Sequence, residues 1–272
     1  MDERLKRLQE TQIDILDKID EICNQNNIKY SLYAGTLLGA VRHGGFIPWD
    51  DDLDICMPRK DYDNFINIWN KYQNEGYILQ NKECSPKFTQ SFTKIRKDHT
   101  TFLQYEFERG AYHTGIFVDI FPLDRIPNNK IKRIVFKINC IIYQLFTREF
   151  IPSKANKLIK IISSILLKCI RNEKRYNLRK KLFGNITKYN DNKGYSMVST
   201  ETVEMLNIIY PADLFDEISK IKFENKEYSC FKNSKRYLEL TYGNYMQLPP
   251  QNERVWTHHP IILDFENNLE EE

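Results

Sequence analysis

One stretch limits the fold more than any other: Gly115-Ile-Phe-Val-Asp-Ile-Phe-Pro122 is almost continuously apolar. A strand of that composition is buried on both sides. A single acid, Asp119, stands in its middle. Leaving a buried polar group unpaired costs on the order of 2 to 7 kcal/mol, and a charge more, so Asp119 needs a partner. That partner is either a buried arginine, with Arg42 and Arg125 as candidates, or a metal ion shared with other carboxylates.

The other carboxylates stand in an earlier run. Asp50, Asp51, Asp52 and Asp54 fall within five positions, with Leu53 and Ile55 interleaved. On a strand, Asp50, Asp52 and Asp54 project to one side and Asp51, Leu53 and Ile55 to the other. Three like charges so close repel and raise one another's pKa, so something positive belongs among them. Hard oxygen ligands suit Mg²⁺ or Mn²⁺, and Mg²⁺ leaves most of its positions to water and substrate phosphate. Upstream, Gly35-Thr36 follows the apolar Tyr30-Ser-Leu-Tyr33 and opens a short helix, Leu37-Leu-Gly-Ala-Val41. Free backbone N–H groups at such a helix start hold anions. Arg42 is a further cation nearby, and Gly44-Gly45 and Pro48 turn the chain so that the acidic strand returns beside the glycine turn.

The segment Gly35-Thr-Leu-Leu-Gly-Ala-Val-Arg-His-Gly-Gly-Phe-Ile-Pro-Trp-Asp-Asp-Asp-Leu-Asp54 resembles the signature of the LicD family of phosphocholine transferases, whose animal relatives include fukutin and fukutin-related protein. The similarity continues through Lys94-Ile-Arg96, Phe117-Val-Asp-Ile-Phe-Pro-Leu-Asp124, Arg236-Tyr-Leu-Glu-Leu-Thr-Tyr-Gly243 and Tyr245-Met-Gln-Leu-Pro-Pro250. It implies an α/β (α+β) nucleotidyltransferase-like fold, a mixed sheet flanked by helices. It also implies transfer of a phosphoalkyl group, phosphocholine from CDP-choline first, to a hydroxyl of a cell-surface glycan or its lipid-linked precursor, with release of CMP. In that reading Asp52, Asp54 and Asp119 are catalytic and hold Mg²⁺ or Mn²⁺, with Asp50 as a conditional ligand. Gly35, Thr36, Arg42, Lys94 and Arg96 bind phosphate or substrate. A nucleotidyltransferase moving NMP from NTP to a small molecule is the alternative, since the same metal constellation serves it.

Along the rest of the chain, residues 3 to 26 read as an amphipathic helix and Ile28 leads into the first strand. Met57-Pro58 starts a helix with Tyr62, Phe65, Ile66 and Trp69 on its buried face; Gly76 ends it before a strand at Tyr77-Ile-Leu-Gln80. The stretch from Phe88 to Phe107 has the composition of paired strands about a turn at Lys97-Asp98, with Lys94 and Arg96 sharing a face. Ser234 caps a helix that Gly243 stops, and the resemblance implies that this stretch packs near the active site, with Tyr237, Tyr242 or Tyr245 lining the donor pocket. His258 and His259 read as loop residues rather than metal ligands, and the acidic tail 270–272 as disordered.

The middle differs in character. Between Lys130 and Lys188 sixteen basic residues face only Glu149 and Glu173, a net charge of +14 in a chain whose total is +3. Ile131, Val135, Ile138, Ile142 and Leu145, then Leu158, Ile161, Ile162, Ile165, Leu166 and Ile170, recur at helical spacing, which predicts two basic amphipathic helices broken near Pro152. An ordinary helical subdomain, contact with anionic membrane and contact with an anionic acceptor polymer all fit; nucleic acid fits least, there being no recognition motif. The division that follows is a catalytic core over 1–129, a basic helical insertion over 130–190 and a C-terminal part over 191–272 that packs back on the core.

Two further patterns narrow the field. Six scattered cysteines, none closely paired, argue for reduced thiols rather than zinc or disulfides. No apolar run reaches a membrane span and the charged Met1-Asp-Glu-Arg-Leu-Lys-Arg is no signal peptide, so the expectation is cytoplasmic, with peripheral attachment at the inner membrane face as an option. A calcium loop beginning at Asp50 fails, because Ile55 and Asp61 occupy the places that need Gly and Glu. A scaffold that merely kept the fold is disfavoured by Asp52, Asp54 and Asp119, which would destabilise it if idle.

Overall fold

The computed structural model describes residues 2–72, 75–151 and 157–269; the break expected near Pro152 and the tail 270–272 lie outside them. Helix α1 (Glu3–Gln25) is capped by Asp2, whose carboxylate accepts the Arg4 N–H, and it buries Leu5, Leu8, Ile15, Leu16, Ile19 and Ile22. Two polar residues, Gln9 and Gln12, are buried on the same helix. There follow β1 (Ser31–Leu32), α2 (Ala34–His43), β2 (Asp54–Pro58), α3 (Arg59–Trp69), β3 (Tyr77–Gln80), β4 (Thr93–Lys97), β5 (Thr101–Leu103) and β6 (Phe117–Ile126). Then come the helices α4 (Lys130–Arg148), α5 (Lys157–Cys169) and α6 (Asn172–Thr187), and finally β7 (Ser196–Ser199), β8 (Ile218–Phe223), β9 (Lys226–Phe231), α7 (Ser234–Tyr242) and β10 (Ile262–Asp264).

Six strands form one mixed sheet in the order β1-β2-β6-β4-β3, with β7 also on β6. The apolar run is therefore its central strand. It pairs parallel with β2 and antiparallel with β4 and β7. Ile120 is the last residue of β6 paired with β4 and Leu123 the first paired with β7, so Pro122 falls in the gap where a missing N–H is tolerated. On one face Ile55, Val118, Ile120 and Ile95 are fully buried where α1 and α3 pack. The other face carries Asp54 and Asp119.

Several local expectations change. The acidic strand begins only at Asp54, with 50–53 outside any ladder, and the first strand is two residues long. β4 and β5 do not pair with each other: β4 lies between β3 and β6, and β5 pairs β10. Their composition reports strand, while the partner is decided by sequence-distant segments. Pro58 is the residue before α3 rather than in its first turn. Asn233, whose side chain accepts the Arg236 N–H, caps α7 in place of Ser234.

The basic middle forms three helices among the described residues, not two. α4 buries Phe136, Cys140, Gln144 and Thr147. Ile131, Val135 and Ile138, part of the helical apolar pattern, lie outside the core at 73%, 51% and 50% exposure. α4 is apolar on both sides, and packing selects the side that carries the bulky Phe136, which joins Ile126 and Val198 in a small second core. The six cysteines are free, and no helix among the described residues is long and apolar enough to cross a membrane.

Candidate active site

The first turn of α2 sets one wall. Ala34 takes φ 44°, an uncommon backbone for a residue with a side chain, and its N–H donates to the Tyr237 hydroxyl at 3.3 Å. Gly35 needs its bareness: an added Cβ would lie 2.9 Å from Asp50 Oδ2. Thr36 accepts the Asp54 N–H at 2.8 Å, a buried bond that fixes the start of β2 against the helix. Gly44, at φ 75°, ends α2 in the left-handed conformation glycine accepts without strain.

The acid loop has no sheet ladder of its own, and side chains from both ends of the chain hold it. Gln9 and Gln12 of α1 donate to the carbonyls of Asp50 and Asp51 at 2.9 and 3.0 Å. Asp51 is tied to the C-terminal segment. Its carboxylate accepts the Thr257 and His258 N–H groups at 3.1 and 2.9 Å and the Thr257 hydroxyl at 2.8 Å, and His258 Nδ1 lies 3.1 Å from it. Burial would raise this carboxyl, but those donors outweigh it and hold it at about 2. His258 is thereby oriented with Nε2 3.8 Å from Asp52.

Sheet register supplies the rest. Asp54 on β2, Asp119 on β6, Lys94 on β4 and Gln80 on β3 are successive partners across the sheet, hence one row on one face. Lys94 Nζ donates to Asp119 Oδ1 at 2.6 Å and sits 3.3 Å from the centre of the Phe117 ring. Asp119 therefore has a lysine partner, not Arg42 or Arg125. Arg125 is spent on the carbonyls of Lys193, Tyr195 and Ala212. Arg96, expected at a phosphate, is buried with Nε on Gln80 Oε1 (2.7 Å) and Nη1 on the Gly115 carbonyl (2.6 Å), so it supports the row.

Charge in this cluster is out of balance. Burial first, then the neighbouring carboxylates, raises Asp50 and Asp54 well above the usual carboxylate range. Asp52 is raised too, by burial against the opposing pull of His258. Lys94 is lowered, mainly by burial. Glu201, just past β7, is pushed up to about 7 by burial and then by Asp119. Asp50 Oδ2 is buried with no hydrogen-bond donor. A site of crowded oxygen ligands with an orphaned carboxylate oxygen fits a divalent cation. Asp51, Asp52 and His258 bring one ligand atom each within 4.8 Å of one another, a group able to hold a metal ion. Because Asp51 is already saturated with donors, its physical part is to orient the imidazole, as carboxylates behind metal-binding histidines do.

Arg42 stands apart from the row. Its Nη1 donates to the Tyr245 carbonyl at 2.8 Å, in a cleft of about 490 Å³ lined by Trp49, Tyr242, Tyr245 and Pro249. Tyr237, by contrast, is wholly buried. His258 does lie in a loop, yet its ring enters the acid cluster, which correctly reading it as loop could not reveal. Glu201 carried no motif at all. Gln12 carried one signal: it interrupts the apolar face of α1 between Leu8 and Leu16.

A helix-opening glycine turn set against a row of sheet carboxylates is the arrangement of a nucleotidyltransferase-type domain, and the mixed sheet agrees with that class. Residues 27–161 match the family described as LicD/FKTN/FKRP, nucleotidyltransferase domain, and the chain belongs to that family. It is 29% identical over 252 residues to a protein named lipopolysaccharide cholinephosphotransferase LicD from Haemophilus influenzae, covering 91% of this chain and 92% of that one. An uncharacterized protein of Rickettsia typhi is 46% identical over 63 residues, 23% of this chain and 20% of the relative.

Proposed function

We propose that the protein transfers a phosphoalkyl group, phosphocholine from CDP-choline, to a hydroxyl of a glycan or lipid-linked glycan precursor and releases CMP. The observation that supports this best is the cross-sheet row Asp54, Asp119, Lys94, with Asp52 and Asp50 delivered beside it by the preceding loop. The named activity of the Haemophilus relative favours choline as the head group and a lipopolysaccharide glycan as acceptor.

In this reading Asp52, Asp54 and Asp119 hold Mg²⁺ or Mn²⁺, with Asp50 conditional and His258 facing the same space. When bound, the cation neutralises diphosphate charge and polarises the phosphoryl group under attack. The first turn of α2, at Gly35 and Thr36, offers backbone N–H groups to phosphate oxygens. Lys94 is the cation beside the reacting centre; Arg42, in its own cleft, serves the outer part of the donor. The acceptor oxygen bonds to phosphorus, the bond to CMP breaks, and the hydroxyl proton passes to Asp119, which shares the row with Asp54. A lipid-linked acceptor would be met at the inner face of a membrane, where a cytoplasmic, peripheral enzyme can reach it.

The test is slow CMP release from a panel of CDP-alcohols (choline, ethanolamine, glycerol, ribitol) with Mg²⁺ and no acceptor. Release from CDP-choline that is lost with Asp54→Asn supports the reading; release from ATP or CTP instead would establish the nucleotidyltransferase alternative.

A further inference from the structure

Helix α4 carries two apolar faces and the core takes only one. On the side turned away, Ile131, Ile134, Val135, Ile138 and Ile141 are 73%, 59%, 51%, 50% and 42% exposed. At 3.6 residues per turn these five fall within an arc of roughly 120°, so they make one continuous stripe. A run of branched aliphatics of this extent marks a surface that something covers. Cations border it: exposed Lys132 on one edge, Lys130 and Lys137 on the other. Helix α5 repeats the pattern, with Ile161, Ile162 and Ile165 half exposed beside Lys157, Lys160 and Lys168.

Charge decides what the occupant is. The segment 130–188 holds a net +14 while the rest of the chain is net negative. A second copy would set two such segments against each other and be repelled. A bilayer with anionic lipid satisfies both parts at once, taking the aliphatic side chains at the acyl boundary and the lysines at headgroup phosphates. We propose that α4, joined by α5, lies flat on an anionic membrane surface with the five α4 aliphatics inserted. The proposal rests on this helix face alone and does not depend on the reaction.

The full chain should sediment with vesicles of phosphatidylcholine and phosphatidylglycerol and not with phosphatidylcholine alone. Ile134→Asp with Ile138→Asp, both at exposed positions, should weaken that binding at least about tenfold with an unchanged melting temperature. Lys130→Gln with Lys132→Gln should weaken it less and flatten its salt dependence, and gives a second test should the double aspartate variant fail to fold. Wild-type protein that ignores the mixed vesicles, or aspartate and glutamine variants that bind them as well as wild type does, overturns the proposal. So does light scattering that shows a wild-type dimer dispersed by the aspartates. CMP release from CDP-choline in free solution should be the same in the aspartate variant, so loss of vesicle binding and loss of activity report separately.

Discussion

Strand β6 buries two carboxylates five residues apart, and they are treated in opposite ways. Asp124 is fully provided for: Arg59 grips it through Nε and Nη2 at 2.9 and 2.8 Å, Asn190 donates at 2.8 Å and Thr200 at 3.1 Å. Burial would raise it, yet Arg59 and the other donors bring it below the usual value. Asp119 shares one lysine with a crowd of acids. The first locks α3, β6 and the approach to β7 together. The second leaves negative charge unbalanced, which costs stability unless a cation or substrate arrives. Burial alone therefore does not distinguish the two acids; the set of partners does, and it is on the unsatisfied one that the proposed chemistry rests.

Substitution should separate the two sites most sharply. Asp54→Asn should cut CMP release by about a thousandfold, the loss of several kcal/mol of metal-borne charge stabilisation, while the metal-free melting temperature holds or rises as repulsion is relieved. A variant as active as wild type would remove Asp54 from the chemistry. Asp124→Asn should do the reverse. It strands the buried Arg59 and should cost about 3 to 5 kcal/mol in a denaturant melt, with the folded fraction still active. Equal stability losses in both variants would erase the distinction.

Smaller effects sharpen it further. Saturating Mg²⁺ at about a hundred times its dissociation constant should stabilise the wild type by about 2.7 kcal/mol and Asp54→Asn by much less. Thr36→Val removes the acceptor of the buried Asp54 N–H and should cost about 1 to 3 kcal/mol.

A further effect concerns pH. Glu201 has a folded pKa of about 7 against an ordinary 4.5, so between those values the folded state holds a proton that the unfolded state has lost. Metal-free stability should then fall as pH rises through that window, by at most about 1.4 kcal/mol per pH unit for this proton, and Glu201→Gln should flatten the slope. Asp124 has the opposite sign: its contribution is present above the ordinary carboxylate range and lost on acidification.

Residue order alone determined a good deal. The apolar run around Asp119 implied a strand buried on both sides and the spacing of α1 its buried face, because each is a short-range pattern with one economical use; the Gly-Thr turn with the following acids is what suggests the phosphate and metal chemistry proposed above. Tertiary structure alone decided who partners whom. Register set Lys94 rather than an arginine beside Asp119, Arg96 was drawn into support, His258 came from some two hundred residues away to face Asp52, and Glu201 arrived with no motif. It also chose which side of α4 to bury, since a helix apolar on both sides satisfies its periodicity either way and only packing can break the tie.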